Sequence, residues 1–326
     1  MADSLEARKH NWLVTHPRTA SHLLVRILNL EEQGSRPGPA RGYFFMPSLP
    51  KRYELVGKPV RDWTEDERLE IQEIEQKCVE SLKSHIEEAA EQNQMVFIKE
   101  HALLANHPLL ENEDTMGAGS IVTELSWLPV VDGQSRTRTA LNKTIFSDEW
   151  LQTWNPTFLI RHPALAIPSL YRAMRHEVFG RSKPEPNVIE RNYVWQRTLL
   201  EFYENAYDDE DHYPIVLEAD DVIKSPDLMI QYAKLVGLDP EKLRFSWDKA
   251  AEEELNSMSE QRRIMLSSLH ESAKADPSKI AGNLSIEEER TKWQAEFGQK
   301  DAERLETWVR AAMPHYEYMR SKRLTL

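Results

Sequence analysis

One cysteine, Cys78, stands in 326 residues, so no internal disulfide can form and the chain reads as built for a reducing compartment. No apolar run approaches the roughly 20 residues of a membrane span, and the opening MADSLEARKH is charged where a secretory signal carries an apolar core. The expectation is a cytoplasmic protein with no membrane association. No glycine precedes Gly34, which removes the glycine-rich lysine loop of nucleotide triphosphatases from the front of the chain. His-Glu-x-x-His and Cys/His groups with ligand spacing are missing as well, so no metal is expected. Repeats, heptad arrays and convincing linkers are absent, which favours a single domain over residues 1–326. Positive charge is in short supply: 41 Lys and Arg face 54 Asp and Glu, a net −13. The molecule as a whole repels nucleic acid and anionic membranes. A small anion can still bind where donors cluster, because screening over about 8 Å lets near charges set a pocket's field.

Much of the acidity sits in residues 64–91, with ten acidic against three basic side chains. Thr64 and Glu67 form a capping-box pair, and Ile71, Ile74, Cys78, Leu82 and Ile86 recur on one stripe, so this is a helix with one buried face. Cys78 then reads as a packing residue. Elsewhere, short apolar runs at Trp12–Thr15, Met95–Lys99, Thr157–Arg161 and Ile215–Glu218 alternate with helical stretches at Thr19–Gln33, Ala164–Val178, Val188–Ala206 and Asp227–Val236, the last stopped by Gly237. That alternation predicts an α/β fold in three layers, a mainly parallel sheet flanked by helices. Regions of about 102–150 and 250–290 show weaker periodicity and read as variable loops with short helices.

Three places carry candidate chemistry. In WLVTHPRTASHLLVRIL, a strand feeds a tight loop and a helix start, where free N–H groups and the helix dipole favour an anion. The loop over residues 16–23 offers the cation Arg18 and the hydroxyls of Thr19 and Ser21; a plain capped helix is the alternative. In TFLIRHPALAIPSLYRAM, Arg161 ends a strand and Ser169 follows on a helix, a pairing that suits a phosphate or, alternatively, a structural ion pair. Along MVFIKEH, Lys99 and His101 share a face by alternation while Glu100 points the other way, as a solvated or ion-paired carboxylate.

Taken together, Arg18 with residues 19–23, Lys99-Glu100-His101, Arg161 with Ser169, Asp220-Asp221 before Pro226, and Lys292-Trp293 follow the order seen in cytosolic sulfotransferases, which the chain resembles over most of its length. The resemblance implies a P-loop-like fold. It also implies 3′-phosphoadenosine 5′-phosphosulfate (PAPS) as co-substrate, with a hydroxyl or amine of a small molecule as acceptor. By the same resemblance His101 is the general base, and Lys99 and Arg18 balance charge on the transferring group. The loop of Arg18, Thr19, Ala20, Ser21, His22 and Leu23 holds the phosphosulfate, and Arg161 with Ser169 holds the 3′-phosphate. The sequence departs from the family at four points: Ala20 replaces a glycine, Leu23 an adenine-stacking tryptophan, and Ala219 an aromatic. At the fourth, Ile286-Glu287-Glu288 falls where an Arg-Lys-Gly clamp is expected, with Lys279, Arg290 and Lys292 as substitutes if the loop is longer. A second reading therefore stays open, a sulfotransferase fold repurposed for other chemistry or for binding. Trp127, Trp150, Trp154, Tyr171 and Phe179 come from regions able to wall an acceptor pocket, or else pack in the core.

Overall fold

The computed structural model describes residues 10–39, 42–117, 137–179, 185–207 and 212–326. Four strands, β1 (His10–Thr15), β2 (Val96–His101), β3 (Asn155–Ile160) and β4 (Ile215–Glu218), form a parallel sheet in the order β2-β1-β3-β4 with helices around it, the expected α/β architecture. Each strand is short and almost fully buried, as parallel strands covered on both faces are. Among the described residues, no helix is long and apolar enough to cross a membrane.

By packing, the chain divides into two compact units. The first comprises Met1–His16, Gly34–Phe158 and Val188–Ile215. It contains the acidic helix, Glu65–Glu91, whose N-cap Thr64 forms the capping box with Glu67 and whose apolar stripe buries Ile71, Cys78 and Leu82. Burial pushes the Cys78 thiol up to about 12, so it is an inert packing group. Trp150 and Trp154 belong to this unit's core at 6% and 0% exposure, with Phe146 stacked on Trp150 at 3.8 Å. Both are packing residues of this core.

The second unit comprises Pro17–Gln33, Leu159–Asn187 and Val216–Leu326. The helix expected over 19–33 is shorter, Ser21–Leu28, because Arg18 and Ala20 take left-handed conformations before it and Asn29, at φ 51°, ends it ahead of a 3-10 turn at Leu30–Gln33. The next helix runs Pro163–Met174, with His162 Nδ1 accepting the Ala164 N–H at 3.2 Å. In the first unit, the stretch expected to be helical from Val188 begins instead at Val194, after a 3-10 turn at Ile189–Arg191, where Asn192 caps the Val194 N–H. Helix Pro226–Leu235 ends as expected at Gly237, φ 75°, with Leu238 N–H returning to the Ala233 carbonyl. Tyr171 is buried against Phe297, and half-buried Phe179 packs on Leu170, Ala173 and Met174, so both serve packing. Trp127 and residues 118–120 of the Thr115–Ser120 loop lie outside the described residues.

Candidate active site

In the first unit, the register of β1 against β2 sets Thr15 directly beside His101. Thr15 Oγ1 donates to the Glu100 carbonyl at 3.1 Å and lies 2.7 Å from His101 Nδ1. With its one proton on the carbonyl, the hydroxyl accepts from Nδ1–H, which leaves the lone pair of His101 on Nε2. Tyr43 OH donates to that Nε2 at 3.2 Å. The same phenol ring lies 4.4 Å from Lys99 Nζ in a cation–π contact, so Lys99 and His101 do share a face. Burial first, then the charges of His16 and Lys99, hold His101 well below the usual histidine range. The imidazole is therefore neutral at physiological pH, the form a general base needs.

Glu100 is not solvated, and among the described residues it forms no ion pair. At 1% exposure it is buried, and its Oε1 accepts the N–H groups of Phe44 and Phe45, the latter at 2.9 Å. Burial pushes its carboxyl up to about 8, against the pull of those two N–H groups and of Lys99. Parallel-sheet burial on both faces overrides the alternation rule that would leave one face wet.

In the second unit, Arg18, Arg161 and Ser169 come together. Arg18 Nε donates to Ser169 Oγ at 3.0 Å and Nη1 to the Met265 carbonyl, while Arg161 donates to the Arg18 carbonyl at 3.0 Å and to the Lys279 carbonyl at 3.1 Å. Residues 18 to 20 alternate in the sign of φ (67° at Arg18, 64° at Ala20, Thr19 not positive), which turns successive N–H groups into one concavity of the kind that binds anions. The first helical bond is Leu24 N–H to the Ala20 carbonyl, so the N–H groups of Ser21, His22 and Leu23 precede the ladder at the positive end of the dipole. Thr19 and Ser21 are buried, and His22 and Leu23 are partly exposed.

Ala20 takes, with a Cβ, a conformation that costs an L-residue about 1–2 kcal/mol and that glycine adopts freely. Ala20→Gly should therefore raise stability by up to about 1 kcal/mol after glycine's own entropy cost. Thermal unfolding checks this: a melting temperature that falls would show that Ala20 is unstrained.

The stretch where the family carries its Arg-Lys-Gly clamp also lies in the second unit. Ile286-Glu287-Glu288 form the first turn of helix Ile286–Phe297, capped by Ser285, where acidic side chains suit the dipole and Glu287 pairs with Arg310 at 2.7 Å. Arg290 is paired with Glu306 and Lys292 with Glu289, while Trp293 is 2% exposed and packs in the core. The backbone carbonyl of Lys279 accepts from Arg161. Asp220 anchors the same segment by accepting the N–H groups of Ala281 and Gly282, each at 2.9 Å.

Sequence reasoning missed Thr15, Tyr43 and the buried role of Glu100. The glycine-aromatic run Gly42-Tyr43-Phe44-Phe45 is a local signal, but its contact with β2 spans over 50 residues and no spacing rule reads it.

No family model matches the chain. Two curated proteins do. The protein named sulfotransferase ppzF of Metarhizium majus is 38% identical over 329 residues, covering 96% of each chain. Its namesake in Metarhizium rileyi is 37% identical over 329 residues, covering 96% of this chain and 95% of that one. Among solved structures, the sulfotransferase domain of the Synechococcus PCC 7002 olefin synthase aligns at 12% identity and TM-score 0.39, covering 91% of this chain and 93% of that one. The sulfotransferase domain from the curacin biosynthetic pathway aligns at 13% and 0.37, covering 84% and 89%. On the strength of near-full-length identity to the two curated proteins, this chain belongs to the sulfotransferase family.

Proposed function

We propose that the protein moves a sulfuryl group from PAPS to a hydroxyl or amine of a small molecule. The observation that carries this reading is the bonded set of Arg18, Ser169 and Arg161 beside a concave run of N–H groups, a donor set suited to phosphate and sulfate oxygens. Transfer at sulfur resembles phosphoryl transfer, in which positioning and charge neutralisation supply most of the rate. In the first unit His101 takes the acceptor proton on Nε2 and Lys99 offsets developing charge; in the second, Arg18 offsets charge and the N–H groups of residues 19–23 hold the phosphosulfate oxygens. Arg161, Ser169 and Lys279 hold the 3′-phosphate. Leu23 and Ala219 carry no ring, and Ala219 is itself fully buried, so the base of the nucleotide contributes less affinity here than an aromatic wall would give.

Thermal-shift and calorimetric titration with 3′-phosphoadenosine 5′-phosphate test this directly. A ligand at 100 times its dissociation constant stabilises by about 2.7 kcal/mol, and Arg161→Ala should abolish the preference for this nucleotide over its 3′-dephosphorylated counterpart. Absence of binding by the wild type would favour the repurposed-fold reading, to which the missing adenine rings point. Equal losses for the two nucleotides would mean that Arg161 does not read the 3′-phosphate.

A further inference from the structure

The segment Gly42–Ser48 is strapped along β2 by contacts that converge on one side chain. Lys99 N–H donates to the Gly42 carbonyl at 3.0 Å, and Gly42 sits so close that a Cβ would come within 3.0 Å of the Lys99 nitrogen, at φ 103°. Beyond it, the N–H groups of Phe44 and Phe45 bind Glu100 Oε1, and Ser48 Oγ donates to the Phe45 carbonyl at 2.8 Å. Tyr43 is thus fixed at its backbone from both neighbours, 6% exposed, with its ring over Lys99 and its hydroxyl on His101 Nε2. Glu100 Oε2 is buried with no hydrogen-bond partner among the described residues. A buried carboxyl left half-satisfied is a costly way to make packing alone.

We propose that Tyr43 is a positioning residue for His101, aiming and holding its neutral imidazole, and that buried Glu100 serves to hold Tyr43 there. This rests on the reading of His101 as the base. The phenol donates to Nε2 and Thr15 accepts from Nδ1–H, so the ring is pinned on both edges in one tautomer. Only the neutral imidazole can accept from Tyr43, so the bond opposes protonation, in the same direction as burial and the charges of Lys99 on β2 and His16 after β1. An acceptor hydroxyl must reach the same lone pair, which makes the Tyr43 oxygen the marker of where that hydroxyl docks. A carboxyl pushed up to about 8 is substantially protonated at neutral pH, so an amide mimics it in shape and in its acceptor oxygen.

Nitrogen NMR of the full-length protein labelled in histidine reads the contact without donor or acceptor, the His101 signals being those lost in His101→Ala. At pH 7.5 the Nε2 resonance should move in Tyr43→Phe toward that of an imine nitrogen accepting no bond, and His101 should titrate higher by roughly half a unit to one unit, the worth of one hydrogen bond. Glu100→Asp, one methylene short of the two N–H groups, should reproduce the resonance shift, and Glu100→Gln should restore the wild-type position. An unmoved Nε2 in Tyr43→Phe would overturn the proposal, as would a folded Glu100→Asp with wild-type signals. Tyr43→Phe keeps the ring and decides the matter alone if Glu100→Asp fails to fold. Loss of nucleotide binding in the preceding titration would sink the proposed function while leaving the Nε2 shift intact, so the two failures are distinguishable.

Discussion

Replacing His101 by alanine should lower turnover roughly 10²-fold to 10⁴-fold, the usual contribution of a positioned general base. Affinity for 3′-phosphoadenosine 5′-phosphate should stay nearly intact, because a base acts in the transition state and not on the bound donor. The wild-type pH profile carries a second expectation. A base works in its unprotonated form, so the rate rises as pH passes upward through its pKa and levels off above it. Burial, His16 and Lys99 hold His101 well below 6.5, so the rising limb belongs below the ordinary histidine range and the rate should be flat through neutrality. Single-turnover rates on an acceptor found by product mass spectrometry check both statements. Near-normal turnover in His101→Ala would remove His101 from the mechanism, and a proportionate loss of nucleotide binding would make it a donor-binding residue instead.

The legibility of this site in the sequence follows the range of the interactions involved. Lys99 and His101 could be paired from period-two alternation within one strand, and Arg18 could be placed at a helix start from the strand and helix on either side. Both are local facts. The backbone at Arg18 and Ala20 was illegible, since neither residue type announces a left-handed conformation the way glycine does. That local twist is also why the helix starts at Ser21 and not at Thr19. Glu100 was misread for a different reason: alternation gives the face but not what covers it, and the strap at Phe44 and Phe45 arrives from a stretch of breakers. The Ile286-Glu287-Glu288 departure rests on counting back from Trp293, and a count along the chain does not carry the local structure of those residues. Those residues open a helix, and the Lys279 carbonyl, seven positions before Ile286, accepts from Arg161.

Arg52→Ala should destabilise the first unit by about 3–5 kcal/mol, the range for breaking a buried ion pair by removing one partner. Arg52 has no exposed side-chain surface. It binds Glu75 at 2.7 Å and Glu111 at 2.6 Å, the carbonyls of Leu104 and Asn106, and Ser48 Oγ at 3.0 Å. Its loss strands two buried carboxylates and frees Ser48, which holds the strap carrying Tyr43. The sign of the pH dependence follows from the carboxyls. Burial raises both, Glu111 to about 7, with Arg52 pulling each the other way. A carboxyl raised on folding gives stability that is complete below its unfolded value near 4.5 and is lost as pH climbs through its folded value. Without Arg52 both values climb further, so the deficit of the variant should be smaller at pH 5, where the carboxyls can be neutral, and larger at pH 8. Replacing the triad together, Arg52→Met with Glu75→Leu and Glu111→Leu, should recover most of the loss, since apolar groups of similar volume need no counter-charge. Urea unfolding at the two pH values measures all of this, and an Arg52→Ala protein within about 1 kcal/mol of wild type at pH 8 would show that the buried charges do not depend on one another.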